Sequence, residues 1–268
     1  MPSLTRRHPS ATLNLEYKLN VLVYAIGDLH LSPSVSNKRM KWIGEDIAWA
    51  APDLVVQIGD LFSFDSLCKY EPNESYAGKL KPVYVQDIAA GRKGLELMNE
   101  WGAAKFKKHV TLGNHDDRIE SFADRVPEVF GLMQEHFYGA LTDNGWSWSA
   151  YKEIVKFEGV QFTHIPIGTL GKVYGGKTAE QRAAADSLGD LVVGHRHNRL
   201  IVSAPKLGNN EIVTVINLGC ALPEGHIEKY ALHTLTGWSY GVWRLCLKKG
   251  KIKGFEFKTM GELEAAYG

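Results

Sequence analysis

Cysteine is scarce in this chain. There are three, Cys68, Cys220 and Cys246, far apart and with no C-x-x-C pair. That excludes a disulfide framework, argues against a thiolate metal site, and reads as reduced thiols in a cytoplasmic protein. No apolar run reaches the length of a membrane span, so no membrane association is expected. The opening residues, Met1 to His8, are followed by no apolar signal core. Neither charge sign dominates: 31 Lys and Arg face 30 Asp and Glu, for a net +1. This balance argues against a broad nucleic-acid footprint, although it leaves room for a local basic patch. Internal repeats and low-complexity segments are also missing.

What is present fits one α/β domain. The 268 residues are 44% hydrophobic and 23% charged, enough for a single large core. Residues 1–16 read as a flexible arm and 17–268 as one domain. Lys18–Ile26 and Leu54–Ile58 read as strands. Between them, Met40, Ile43, Ile47 and Ala50 recur at helical spacing over Asn37–Ala50, and Pro52 stops the helix. Residues 61–82 are a long polar connection, of a length that is usually functional or disordered. Tyr84–Trp101 reads as a helix interrupted by Gly91 and Gly94. His109–Leu112 follows as a strand, and Arg118–Phe137 as helix broken near Pro127. Trp146–Phe157 and Gly159–Thr163 read as a hairpin turning at Glu158-Gly159. Residues 165–177 are glycine-rich, with the composition of a lip. Thr178–Leu188 reads as a helix with a capping box of Thr178 and Gln181. The strands Leu191–Val193, Ile212–Asn217, Tyr240–Leu247 and Lys251–Lys258 complete the chain, the last two joined over Lys249-Gly250. Two mixed sheets facing each other, with helices outside, are expected.

Five short motifs carry the chemistry. They are Gly27-Asp28-Leu29-His30, Gly59-Asp60, Gly113-Asn114-His115-Asp116, His164, and Gly194-His195-Arg196-His197. Each sits at or just past the end of a β-rich stretch, where open α/β sheets bind ligands. In an extended strand end residues i and i+2 point the same way, which predicts that Asp28 converges with His30, and His195 with His197. Imidazoles mixed with carboxylate and amide oxygens suit first-row divalent metals better than calcium. The other five histidines, His8, His109, His136, His226 and His233, read as ordinary surface or core residues. Read singly, the motif glycines are tight turns and the two aspartates helix caps.

Taken in order, the motifs resemble the calcineurin-like metallophosphoesterase superfamily, written there as D-x-H, G-D, G-N-H-[ED], H and G-H-x-H. Phe62, Ser66-Leu67, Tyr70, Asp87, Asn217–Cys220 and Trp238–Trp243 are more diffusely similar to phage-type and bacterial members. The resemblance implies an αββα sandwich and two divalent ions: manganese by expectation, with iron, zinc, nickel or cobalt as alternatives. It assigns Asp28, His30, Asp60 and His197 to the first ion. Asp60, Asn114, His164 and His195 go to the second, so Asp60 bridges. It implies attack on a phosphate ester by a metal-bridging hydroxide, with His115 facing the leaving group. Asn114, Arg118 and Arg196 are the expected phosphate contacts, since guanidinium forks match phosphate geometry. Asp116 and Asp117 are candidates to orient His115 or pair with Arg118.

The chain departs from the phosphoprotein-phosphatase branch, whose second motif reads G-D-x-x-D-R-G. Here it is Gly59-Asp60-Leu61-Phe62-Ser63-Phe64-Asp65, so Ser63 replaces the aspartate that backs the histidine and no arginine follows. The partner of His115 is left open. The expected substrate is a phosphodiester in DNA or a nucleotide, with Lys69 and Lys172 available to a nucleic-acid backbone and no obligatory protein partner. The alternative is a phosphomonoesterase acting on DNA ends or small molecules. A non-catalytic binding module on the same fold is the rival of another class.

Overall fold

The structure is a computed structural model. It describes residues 20–268 apart from 72–73, 169, 209, 229–230 and 232–236. The arm expected at 1–16, the first residues of the strand expected from Lys18, and His8 and His233 lie outside the described residues.

Strand β1, Val21–Ile26, shows how the layers arise. Alternate side chains take opposite faces of a strand. Val23 and Ala25 enter one buried cluster with Val56, Ile58, Phe162, Val192, Ile216 and Trp243. Tyr24 and Ile26 enter another with Met40, Ile43, Ile47, Leu95 and Phe137. The first cluster lies between two sheets and the second lies under helices, so the last four residues of the strand are buried on one side or the other.

Around β1 stand β2 (Leu54–Gln57), β3 (Lys108–Thr111) and β4 (Trp146–Ser149), all parallel to it. β10 (Gly241–Lys248) and β11 (Lys251–Thr259) add antiparallel strands, giving the order β11-β10-β1-β2-β3-β4. The second sheet runs β5-β6-β7-β9-β8, from Val155–Phe157, Val160–Phe162, Leu191–Val193, Ile212–Leu218 and Arg199–Pro205 respectively. The Trp243 indole N–H donates to the Leu218 carbonyl at 2.8 Å and ties the sheets together. Outside the first sheet lie α1 (Lys38–Ala50), α3 (Tyr84–Glu100), α4 (Arg118–Ala123), α5 (Leu132–Asp143) and the C-terminal α7 (Met260–Tyr267). α2 (Tyr76–Lys79) is a single turn, and α6 (Ala179–Asp186) covers the second sheet. This is the expected sandwich. No helix among the described residues is long and apolar enough to cross a membrane.

Several local expectations change. Gly91 and Gly94 do not interrupt α3; they are slots in it. A Cβ on Gly91 would collide with the Phe62 ring, and one on Gly94 would stand 2.8 Å from Leu31. The helix thereby packs closely on the segments that follow β1 and β2. Those segments are themselves buried: Leu61, Phe62 and Phe64 are fully enclosed, so the polar connection starts only at Asp65. Trp146–Phe157 is not one hairpin arm. A turn with Lys152 at φ 71° splits it, sending β4 to one sheet and β5 to the other. Only β5 and β6 form the hairpin. Thr178 precedes α6 but makes no side-chain cap. β8 and α7 lacked a signal strong enough to be expected.

Candidate metal centre

The five motifs leave the carboxyl ends of neighbouring strands. β1, β2 and β3 deliver Asp28 with His30, Asp60, and Asn114 with His115. β6 and β7, adjacent in the other sheet, deliver His164 and His195 with His197. Ligand atoms of Asp28, His30, Asp60 and His197 all lie within 4.8 Å of one another, as do those of Asp60, His164 and His195. Asp60 belongs to both groups. Asn114 joins the second, its Oδ1 lying 3.1 Å from His164 Nε2.

The convergence does not come from strand alternation, as the sequence suggested. His30, Asp60, His195 and His197 have φ of 45°, 50°, 72° and 57°, in the left-handed region. Such backbone costs about 1–3 kcal/mol per residue and concentrates at functional sites. It also sends His195 and His197 to different groups. Of the motif glycines only Gly59 has positive φ. Gly113 and Gly194 serve close approach instead. A Cβ on Gly113 would collide with Asp60 Oδ1, and one on Gly194 with Asp28 Oδ1.

Neither aspartate caps a helix. The Asp28 carboxylate accepts from His195 N at 3.0 Å, and Asp60 Oδ1 accepts from His115 N at 2.8 Å. A buried polar layer holds each loop from behind. The Gln57 side chain bonds the carbonyls of Gly27 and Gly59 and the Gly59 N–H. Asp116 accepts from the N–H groups of Leu61, Phe62 and Gly113, so it braces the Asp60 loop rather than orienting His115. Burial, with the charge of Asp60, pushes Asp116 up to about 7. Arg39, fully enclosed, donates to the Leu29 carbonyl at 2.6 Å. Asn217 bonds the Gly194 carbonyl and Glu180. Gln57 had a visible signal: a lone amide ending an apolar strand just before the motif.

The residues fit divalent metal. His30 Nε2 and His197 Nε2 face each other at 3.1 Å, and His197 Nε2 is 3.0 Å from Asp28 Oδ2. Lone pairs crowd one point and call for a cation. The Nδ1 atoms of His195 and His197 are buried without a hydrogen-bond partner among the described residues. Burial pushes His30 well below its ordinary value, and burial with His164 pushes His195 down to about 4. Neutral imidazole is the coordinating form. Burial opposes it, yet Asp60 and Asp28 lift His164 to about 9, which shows how strongly the carboxylates demand positive charge.

His115 stands beside this cluster, its ring 4.5 Å from that of His30. Its Nδ1 lies 2.9 Å from the Ser63 carbonyl, so Nδ1 donates and the neutral ring leaves Nε2 as an acceptor. Arg118 Nη2 approaches that Nε2 at 3.2 Å. The partner left open is thus a backbone carbonyl, at the position where the aspartate had been replaced. Burial holds His115 below its ordinary value, though Asp60 opposes this. Arg118 is itself held by the Ser63 and Phe64 carbonyls and lies 3.5 Å from Asp65. The Asp117 carboxylate accepts from Ser121 Oγ at 3.4 Å. Arg196 pairs with enclosed Glu180 at 2.5 Å. That contact fixes the His195–His197 loop and engages the guanidinium expected for phosphate.

Residues 21–216, more than half of the chain, match the family model described as calcineurin-like phosphoesterase. The chain belongs to that family. The comparison with curated proteins gives no match. Among solved structures it is similar to a Vps29 double mutant from Entamoeba histolytica, at 14% identity over 89% of this chain and 99% of that one, with a TM-score of 0.40. Wild-type Vps29 from the same organism, complexed with zinc, gives 13%, 89%, 99% and 0.35. TT1561 of Thermus thermophilus gives 12%, 90%, 99% and 0.35.

Proposed function

We propose that this protein is a dinuclear-metal phosphoesterase of the cytoplasm that prefers phosphodiesters, in nucleic acid or nucleotides. The observation that carries the reading is the pair of carboxylate–histidine groups sharing Asp60, with His115 and Arg118 at their edge. Asp28, His30, Asp60 and His197 would hold one ion, and Asp60, Asn114, His164 and His195 the other. Manganese suits this nitrogen–oxygen set, with iron, zinc, nickel or cobalt as alternatives. When bound, two such ions polarise a phosphoryl oxygen and acidify water near neutral pH.

The chain's own groups do the rest. Ser63 fixes the His115 ring so that Nε2 is the working nitrogen. Arg118 shares that position and supplies N–H donors to charge developing on the leaving oxygen. Once protonated, His115 passes its proton to that oxygen. A non-catalytic module would have no use for this pair or for four strained ligand positions.

Diester preference follows from charge. A monoester brings two negative charges to the scissile phosphorus, whereas Arg196 is engaged by Glu180. Among the described residues Arg118 is the cation hydrogen-bonded to His115. The test compares bis-p-nitrophenyl phosphate with p-nitrophenyl phosphate at equal concentration with manganese. Diester hydrolysis should match or exceed monoester hydrolysis. A monoester preference of about a hundredfold or more, some 2.7 kcal/mol, would reverse the reading toward a phosphatase.

A further inference from the structure

Beside the metal centre lies a cavity of about 200 Å³ lined by Lys69, Tyr70, Arg118, Ser121 and Arg125, and reaching Asn114. It borders the centre through Asn114, which contacts His164, and Arg118, which contacts His115. Three cations and one acid, Asp117, border it. Of the three cations, Arg118 pairs with Asp65 at 3.5 Å. Lys69 and Arg125 form no ion pair among the described residues. Lys69 lies over the Tyr70 ring at 5.3 Å, and Arg125 lies over the Phe122 ring at 5.7 Å with its Nε donating to the Ser121 carbonyl at 3.0 Å. The two ends that make bidentate contacts to phosphate are left open on Arg125. Asp117 is turned to Ser121.

We propose that this cavity is a subsite for a second phosphate group of the substrate, one position removed from the phosphate that is cleaved. The proposal rests on the phosphoesterase reading and narrows its substrate class. The net local charge is positive in a chain whose overall charge is +1. Sites for drug-sized ligands run to about 300–1,000 Å³. This cavity is smaller, so it takes a phosphate with little of the sugar attached rather than a whole nucleoside. Lys69 and Arg125 stand next to the reacting centre and not in it, with Arg118 between them and His115. That placement rewards a substrate with two separated phosphates over one with two charges on a single phosphate.

The test uses the manganese-loaded protein. Thymidine 3′,5′-bisphosphate and thymidine 5′-diphosphate are each compared with thymidine 5′-monophosphate as inhibitors of bis-p-nitrophenyl phosphate hydrolysis. Calorimetry reads the same three ligands without relying on turnover. A second phosphate should tighten binding about tenfold or more, the order of one charge-assisted contact. A gain with the bisphosphate alone identifies a sugar-spaced, polynucleotide-type substrate; a gain with the diphosphate alone identifies a nucleoside polyphosphate. In the Lys69→Ala/Arg125→Ala double variant the ratio between ligands should collapse toward one. Equal binding of all three ligands by the wild type would overturn the subsite, and so would an unchanged ratio in the double variant. Either failure leaves the phosphoesterase reading standing if the diester is hydrolysed. Absent hydrolysis with a retained calorimetric ratio would sink that reading and keep the subsite.

Discussion

Removing metal should cost this fold a measurable share of its stability. The centre packs Asp28, His30, Asp60, His164 and His197 out of contact with water, on loops whose backbone is strained at four ligand positions. A ligand that binds only the native state contributes about 2.7 kcal/mol at a hundred times its Kd. Two ions would then contribute about 5 kcal/mol. At about 2–4 °C per kcal/mol for a chain of this size, Tm should fall by about 10–20 °C in excess chelator. Asp60→Asn weakens the ligand shared by both groups, so most of that metal-dependent shift should disappear. His195→Ala touches one group only and should retain about half. The assay is differential scanning fluorimetry of each protein with manganese and with chelator. Identical wild-type Tm values in the two conditions would refute the reasoning. So would an Asp60→Asn shift as large as that of the wild type.

His115→Ala should keep its metal content, measured by elemental analysis, and lose turnover. The loss should be about 10²–10⁴-fold and worst for poor leaving groups such as alkyl esters; full activity on an alkyl ester would show its role to be misassigned. Asp46→Asn should cost about 3 kcal/mol in urea unfolding. That enclosed carboxylate accepts from Tyr24, Arg244, Lys258 and Tyr267, binding α1 to four other elements, and losing its charge leaves Lys258 without an ion pair among the described residues and Arg244 with Glu256 alone. Asp87 gives the pH dependence. Burial pushes it up to about 6, against the N–H donated by Ser66. A carboxyl raised in the folded state stabilises most below its unfolded value, so its contribution should fall as pH rises from about 4 to about 6. Asp87→Asn should remove that slope and raise stability at pH 8 by about 2 kcal/mol, read from urea midpoints at each pH.

Much of the fold was legible because its strands are short apolar runs punctuated by glycine, and its first helix has clean spacing. The clustering of the candidate metal-ligating aspartates and histidines was legible because five motifs follow five strands in order. What escaped were contacts made by backbone or by distant partners. No pattern in residues 59–65 shows that the Ser63 carbonyl would meet His115 Nδ1, since the contact uses no side chain of Ser63. Arg196 looked free because Glu180, sixteen positions earlier in another element, carries no local signal of pairing. The split between β4 and β5 was hidden in a stretch whose alternation suits either sheet, and Lys152 in the left-handed region is not a residue that announces a turn. Gly91 and Gly94 looked like helix breakers because what they face, Phe62 and Leu31, comes from loops far away in sequence.

The most direct test of the central claim is a metal titration of the stripped protein, following bis-p-nitrophenyl phosphate hydrolysis while bound manganese is counted by elemental analysis. Activity should be absent in chelator, return with added manganese and level off at two ions per chain. Full activity in excess chelator, with no metal found in the protein, would contradict the account.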